Sequence, residues 1–201
     1  MYHDRQDLTA LIGSRICHDL ISPLGAISNG LELLAMTGQS DTPELALIAQ
    51  SIASANSKIR FFRVAYGRAP TGSSLAQPEI VSVLRDYFKE SRVQIDWRTM
   101  REAQRRDVKL AFLAIQCLES ALPYGGRIDI DLDGNEWVLC ATGDKLHLIA
   151  EHWQILDGQN SDANDELGAA QVQFGMLAML TQWRKPGLGV ALCENSITVR
   201  F

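Results

Sequence analysis

His18 and Asp19 are adjacent in the chain, with Arg15 three positions before the histidine and Ser22 four positions after it. A neutral imidazole has one ring nitrogen that donates and one that accepts. An acid that takes the donated hydrogen bond leaves the other lone pair free to attack an electrophile. At about 100° per residue in a helix, Arg15, Ser22, Gly25, Asn29 and Ser14 all fall within about 60° of His18. The imidazole is then framed by small and polar side chains, on a face open to whatever docks there. Ile21 and Leu11 flank that face as candidate apolar contacts.

The element that must hold this face is an amphipathic helix. Ile16, Leu20, Leu24, Ile27, Leu31 and Leu34 follow at steps of four and three and lie opposite His18. Pro23 falls inside the pattern, removes the hydrogen bond to the Asp19 carbonyl and favours a kink. Thr37-Gly38-Gln39-Ser40 ends the segment. Asp41-Thr42-Pro43-Glu44 then starts a second helix, with a cap, a proline and an acid in the first turn. Leu45, Ile48, Ile52, Ala55, Ile59, Phe62 and Tyr66 form its seam, which stops near Gly67. Two such helices joined by a short turn make an antiparallel hairpin. A hairpin buries only one stripe on each helix, so a second copy completing a four-helix bundle is the expected homodimer.

The chain has 201 residues, 19 bases and 24 acids, for a net charge of −5. The first 70 residues are charge-neutral and the remainder holds the acidic excess. That balance argues against a nucleic-acid partner, which calls for a basic footprint. No apolar run reaches membrane-spanning length, and the polar N-terminus is unlike a signal peptide. Cys17, Cys117, Cys140 and Cys193 lack metal-binding or redox spacing, so no metal is expected and the expected compartment is the reducing cytoplasm.

Three regions separate: a helical hairpin over 1–68, a Pro- and Ser-containing linker over 69–78, and an acidic domain over 79–201. In the last region Glu79–Ser91, Arg105–Leu122 and Glu166–Trp183 have helical patterns. Val93–Trp97, Arg127–Leu132, Glu136–Ala141, Gly189–Cys193 and Ser196–Phe201 have strand patterns, Leu146–Leu156 fits either, and Gln159–Asp165 is a polar loop. Mixed helices and a largely antiparallel sheet make an α+β layered domain. His3 is expected in solvent, and His147 and His152 have poor metal spacing. Trp97, Trp137, Trp153 and Trp183 are core candidates. Arg98, Arg101, Arg105, Arg106 and Lys109 suit a solvated loop and helix start. Lys58, Arg60, Arg63 and Arg68 could meet an acidic partner or plain solvent.

The run Ile16-Cys17-His18-Asp19-Leu20-Ile21-Ser22-Pro23-Leu24-Gly25-Ala26-Ile27 resembles the H-box of two-component sensor histidine kinases, with His18, Asp19, Leu20, Ser22, Pro23, Leu24 and Ile27 in register. The resemblance implies that His18 accepts a phosphoryl group, with Asp19 as its acidic partner, on a dimeric four-helix bundle. It also implies that residues 79–201 form an ATPase-like α/β sandwich, and there the ligands depart from the pattern. The magnesium-holding Asn falls on Cys117 and an upstream Asn on Leu113. The adenine-reading Asp falls on Ala141, and Leu167-Gly168-Ala169-Ala170 lacks the phosphate-cradling glycines.

An intact H-box hairpin followed by a degenerate ATPase-like domain is similar to the ChpT-type histidine phosphotransferases. That resemblance implies a phosphorelay intermediate with a phosphohistidine, which takes its phosphoryl group from the receiver aspartate of a hybrid histidine kinase. It would pass the group to response-regulator receivers, including those governing the cell cycle. It would bind no ATP and hold no cofactor, with Mg2+ supplied by the partner receiver domain. The competing readings are a divergent ATP-dependent histidine kinase and a non-enzymatic dimeric adaptor.

Overall fold

The computed structural model describes residues 2–36, 42–156, 168–182, 184 and 187–201, with the backbone alone for 2–9. The turn expected at 37–40, the loop at 159–165, Leu167, Trp183 and the His3 side chain lie outside the described residues. Two long helices come first, α1 (Tyr2–Met36) and α2 (Pro43–Ala65). α2 starts as its sequence predicts: Thr42 is the N-cap, its Oγ1 accepts from the Leu45 N–H at 3.3 Å, and Pro43 occupies the first turn.

α1 packs along α2, but only Leu24 and Leu31 of the stripe expected from the sequence lie on the contact. Ala10 and Cys17 are buried, and Ser14, Ile21, Leu24, Ser28 and Leu31 are half-buried. These positions alternate steps of four and three and form the seam toward α2. Ile16, Leu20, Ile27 and Leu34 lie to one side of it and remain exposed, as does Ile12. The apolar arc of α1 is therefore wider than one partner helix can cover.

Past α2 come β1 (Ser74–Leu75), α3 (Gln77–Phe88), β2 (Val93–Trp97), β3 (Ala103–Gln104) and α4 (Arg105–Ser120). They are followed by β4 (Gly126–Asp133), β5 (Glu136–Thr142), α5 (Ala150–Leu156), α6 (Val172–Thr181), β6 (Gly189–Leu192) and β7 (Ser196–Arg200). The segment read as a linker is not a free tether, because β1 pairs antiparallel with β3 and α3 begins at Gln77. The helix expected over Glu166–Trp183 begins only at Val172, after a 3-10 turn at Ala169–Gln171. The main sheet has the order β2-β4-β5-β7-β6, with β2–β4 parallel and the other pairs antiparallel. Ile128, Ile130, Leu139, Ala141, Ile197 and Val199 alternate inward and are fully buried.

α4 is the centre of this half. Its interior residues from Val108 to Leu118 are buried on nearly every side, as befits a helix covered by other layers all round. The domain's core also takes in the end of the hairpin. Phe61, Val64 and Ala65 of α2 belong to the same apolar cluster, with the Phe61 ring 4.1 Å from Tyr87 and 4.7 Å from Phe112. The boundary drawn at residue 68 is thus not a packing boundary, because α2 is apolar on two faces. Trp97, Trp137 and Trp153 are core residues, as expected.

The turn leaving α2 is bound to α4. Lys109, expected in solvent, is 7% exposed and donates to the carbonyls of Gly67 (2.8 Å) and Tyr66 (3.4 Å). Arg105 Nε donates to the Arg68 carbonyl at 3.2 Å. A buried cation at the end of a helix satisfies carbonyls that have no partner within the helix.

Candidate functional site

His18 lies near the middle of α1, where its side chain is 83% exposed. Its Nδ1 stands 3.2 Å from Asp19 Oδ1, and the other oxygen of the same carboxylate accepts from Arg15 Nε at 2.6 Å. One carboxylate thus bridges imidazole and guanidinium. With the proton on Nδ1, that nitrogen donates to Asp19 and the Nε2 lone pair is free. Arg15, followed by His18, holds the Asp19 carboxyl below the usual carboxylate range.

Arg15, Ser22, Asn29 and Leu11 are exposed and Gly25 is half-exposed. The helix therefore brings His18, Asp19, Arg15, Ser22, Gly25 and Asn29 to one accessible side. Ile21 does not join them in the open: it is half-buried and belongs to the seam with α2. Cys17 is buried against α2, and burial raises its thiol pKa against the pull of Arg63.

One turn before the histidine, α1 is fixed to the clamped end of α2. The Arg68 N–H donates to Ser14 Oγ at 3.0 Å. A Cβ at Gly13 would sit 3.1 Å from the Tyr66 carbonyl oxygen. Ser14, Gly67 and Lys109 therefore set where α1 lies, a role that sequence reasoning missed when it put Ser14 on the open His18 face and Lys109 in solvent. Only the glycine at the end of α2 carried a local signal, because the other contacts join residues more than forty positions apart.

Three of the positions where a nucleotide ligand set was sought are closed off, whereas Gly168, Ala169 and Ala170 are exposed. Leu113, Cys117 and Ala141 are fully buried, and burial raises the Cys117 thiol pKa well above its ordinary value. Gly125 and Gly126, which end the Leu122-Pro123-Tyr124 run, adopt φ of 97° and 153°. A Cβ at Gly125 would meet the Arg92 carbonyl oxygen at 2.8 Å, so that glycine follows from chain crossing. Among the described residues no group of His, Cys, Asp and Glu is placed to hold a metal ion, and no helix is long and apolar enough to cross a membrane.

Residues 77–191 match the family model described as the histidine phosphotransferase C-terminal domain. The chain is 37% identical over 177 residues to protein phosphotransferase ChpT of Brucella abortus (strain 2308), covering 85% of this chain and 84% of that one. A bacterial phosphotransferase of known structure superposes with a TM-score of 0.67 at 26% identity, covering 96% of this chain and 95% of that chain. A histidine kinase domain from Erythrobacter litoralis gives a TM-score of 0.46 at 10% identity, over 85% of this chain and 92% of that one. With more than half its length under the family model and a relative this similar along most of it, the chain belongs to the histidine phosphotransferase family.

Proposed function

We propose that this phosphotransferase carries its phosphoryl group on Nε2 of His18, as the intermediate of a phosphorelay between receiver domains. The observation that carries the reading is an imidazole 83% exposed on an accessible helix face, with Nδ1 against Asp19 and Nε2 unobstructed. The Nε2 lone pair attacks the phosphorus of an aspartyl phosphate on the receiver of a hybrid histidine kinase. The P–N bond forms as the P–O bond to the aspartyl carboxylate breaks, and the carboxylate leaves with the bonding pair. The reverse step places the group on the aspartate of a response regulator, including regulators of the cell cycle. Phosphoryl transfer asks mainly for in-line position and charge neutralisation. Asp19 supports the positive charge that builds on the ring, and Arg15, held on the same carboxylate, would face the transferred oxygens. Leu11, Ser22, Gly25 and Asn29 offer the docking surface around them. Ile21 would contribute from the seam beside it.

Mg2+ would arrive with the receiver, since Asp19 is already bonded to Arg15 and His18 and no metal-holding group of acids stands beside it among the described residues. No ATP, nucleic acid or membrane enters the reading. Buried Leu113, Cys117 and Ala141 support a domain that braces the hairpin rather than one that binds nucleotide. The exposed apolar row on α1 supports a homodimer through a four-helix bundle, and the compartment of this reading is the cytoplasm. The test is transfer of radiolabel from a phosphorylated receiver. The expected product is acid-labile and alkali-stable, as a phosphohistidine is, and disappears in His18→Ala while the melting temperature is unchanged. Label that still moves to His18→Ala refutes the assignment, and ATP bound at micromolar affinity with magnesium would refute the reading of the second domain.

A further inference from the structure

β2 is an edge strand that pairs with β4 on one side, and no described strand lies on the other. Two hydrogen bonds set the phase of that parallel ladder: Gly126 N–H to the Arg92 carbonyl at 3.4 Å, and Arg98 N–H to the Ile130 carbonyl at 2.9 Å. In a parallel pair, alternate residues turn both backbone groups toward the neighbour. Gln94 and Asp96 face β4, so Val93, Ile95 and Trp97 present theirs to the open edge. Ser91 Oγ accepts the Val93 N–H at 3.1 Å. The N–H and C=O groups of Ile95 and Trp97 have no partner among the described residues.

α3 runs beside this edge and leaves a groove of about 610 Å³ between helix and strand. Val81, Leu84 and Phe88 line one wall, and Ile95 and Trp97 the other. Trp97 is 6% exposed, and its Nε1 is the one buried side-chain polar atom without a hydrogen-bond partner among the described residues. Natural edges are usually blunted by proline, lysine or a bulge. Val93–Trp97 contains neither residue, and its one charge, Asp96, is already paired with Arg98 (3.2 Å) and Arg127 (2.7 Å). On the rim, Arg85 and Lys89 stand one helical turn apart and exposed. The acid nearest Arg85 is Asp86 at 3.6 Å, and Lys89 has no ion pair among the described residues. In a chain of net charge −5 this is a local cationic border.

We propose that the groove between α3 and β2 is a strand-addition site for an extended peptide segment of a partner protein. The segment is apolar at alternate positions and acidic where it passes Arg85 and Lys89. Its backbone pairs with Ile95 and Trp97, and its apolar side chains enter the groove. At a rise of about 3.3 Å per residue, the strand matches a segment of about five residues.

The experiment is selection of a random octapeptide phage library on the full chain, followed by anisotropy titration of the best labelled peptides. The key variant is Ile95→Pro, which an outward-facing edge position can accommodate but which removes the donor. Ile95→Val keeps the donor, and the surface double variant Arg85→Glu with Lys89→Glu tests the rim without touching the core. We expect alternating apolar and acidic peptides whose binding shifts the Ile95 and Trp97 amide resonances. Binding should be at least about tenfold weaker in Ile95→Pro and in the double variant, and unchanged in Ile95→Val. The proposal is overturned by a selection that enriches no such peptides, or by peptides that bind both variants as tightly as the parent. A fall in solution mass in Ile95→Pro would also overturn it, since the edge would then pair with a second copy.

Discussion

Leu20→Ala probes the reasoning about the uncovered side of α1. Ile12, Ile16, Leu20, Ile27 and Leu34 are between 39% and 54% exposed. Full burial of such a side chain is worth about 1.5–3 kcal/mol, so covering the exposed half yields about 0.8–1.5 kcal/mol each. Five side chains on each of two copies give about 8–15 kcal/mol, against an association cost of about 4–15 kcal/mol. The surplus is small, so a single loss is visible. By two-fold symmetry Leu20→Ala removes its contact twice, about 1.5–3 kcal/mol, and weakens the dimer by about tenfold to a hundredfold. Alanine keeps the helix intact, because its helix propensity is the highest of all. Sedimentation velocity over a concentration series measures the constant, with Asn29→Ala on the opposite side as the variant that leaves it unchanged. A parent chain that sediments as a monomer up to about 1 mM, where a surplus of about 4 kcal/mol already forms a dimer, would refute the argument, as would equal dimerisation of parent and Leu20→Ala.

Three further outcomes follow from the packing. Phe61→Ala empties a site shared by α2, α3 and α4 and should cost about 3–5 kcal/mol, read from the urea midpoint; a loss below about 1 kcal/mol contradicts a common core. Lys109→Met leaves the Tyr66 and Gly67 carbonyls without their buried cation and should cost about 2–3 kcal/mol, with Lys109→Arg recovering part of it. Burial raises the pKa of the Glu119 carboxyl, while the Tyr87 hydroxyl at 3.2 Å opposes the shift. The unfolded chain then ionises first, so this contribution is full below about pH 4.3 and is lost as pH climbs through the folded value. Glu119→Gln should flatten that decline and raise the melting temperature near neutrality; an unchanged pH profile of melting would count against it.

β2 begins and ends where its sequence predicts, because Val93–Trp97 alternates apolar and polar residues and is bounded by polar turns. His18 was legible for a similar local reason, since its open face follows from helical rotation alone. What the periodicity could not decide was which part of a broad apolar arc meets which partner. Ala10, Ser14, Cys17 and Ser28 on the α1 seam are too small or too polar to stand out, whereas Ile16 and Leu20 are conspicuous and remain uncovered. Phe61 was overlooked because the heptad through Ile59, Phe62 and Tyr66 accounts for α2 without it. Lys109 was misplaced because its partner carbonyls lie 42 and 43 positions earlier, and nothing local to a run of basic residues announces them.

The side chains that α2 shares with the sheet-bearing half have a mechanical meaning. A domain that delivers a phosphoryl group to a histidine on its own hairpin has to swing, and swinging requires a joint that can slip. Here the joint is the Phe61–Tyr87–Phe112 stack and the Lys109 clamp, so a swing would have to break a hydrophobic core. The hairpin and its brace then form a single stiff anvil. Among the described residues nothing lies across the α1 face, so on the proposed function the imidazole stands clear for receivers arriving one after another from either direction of the relay.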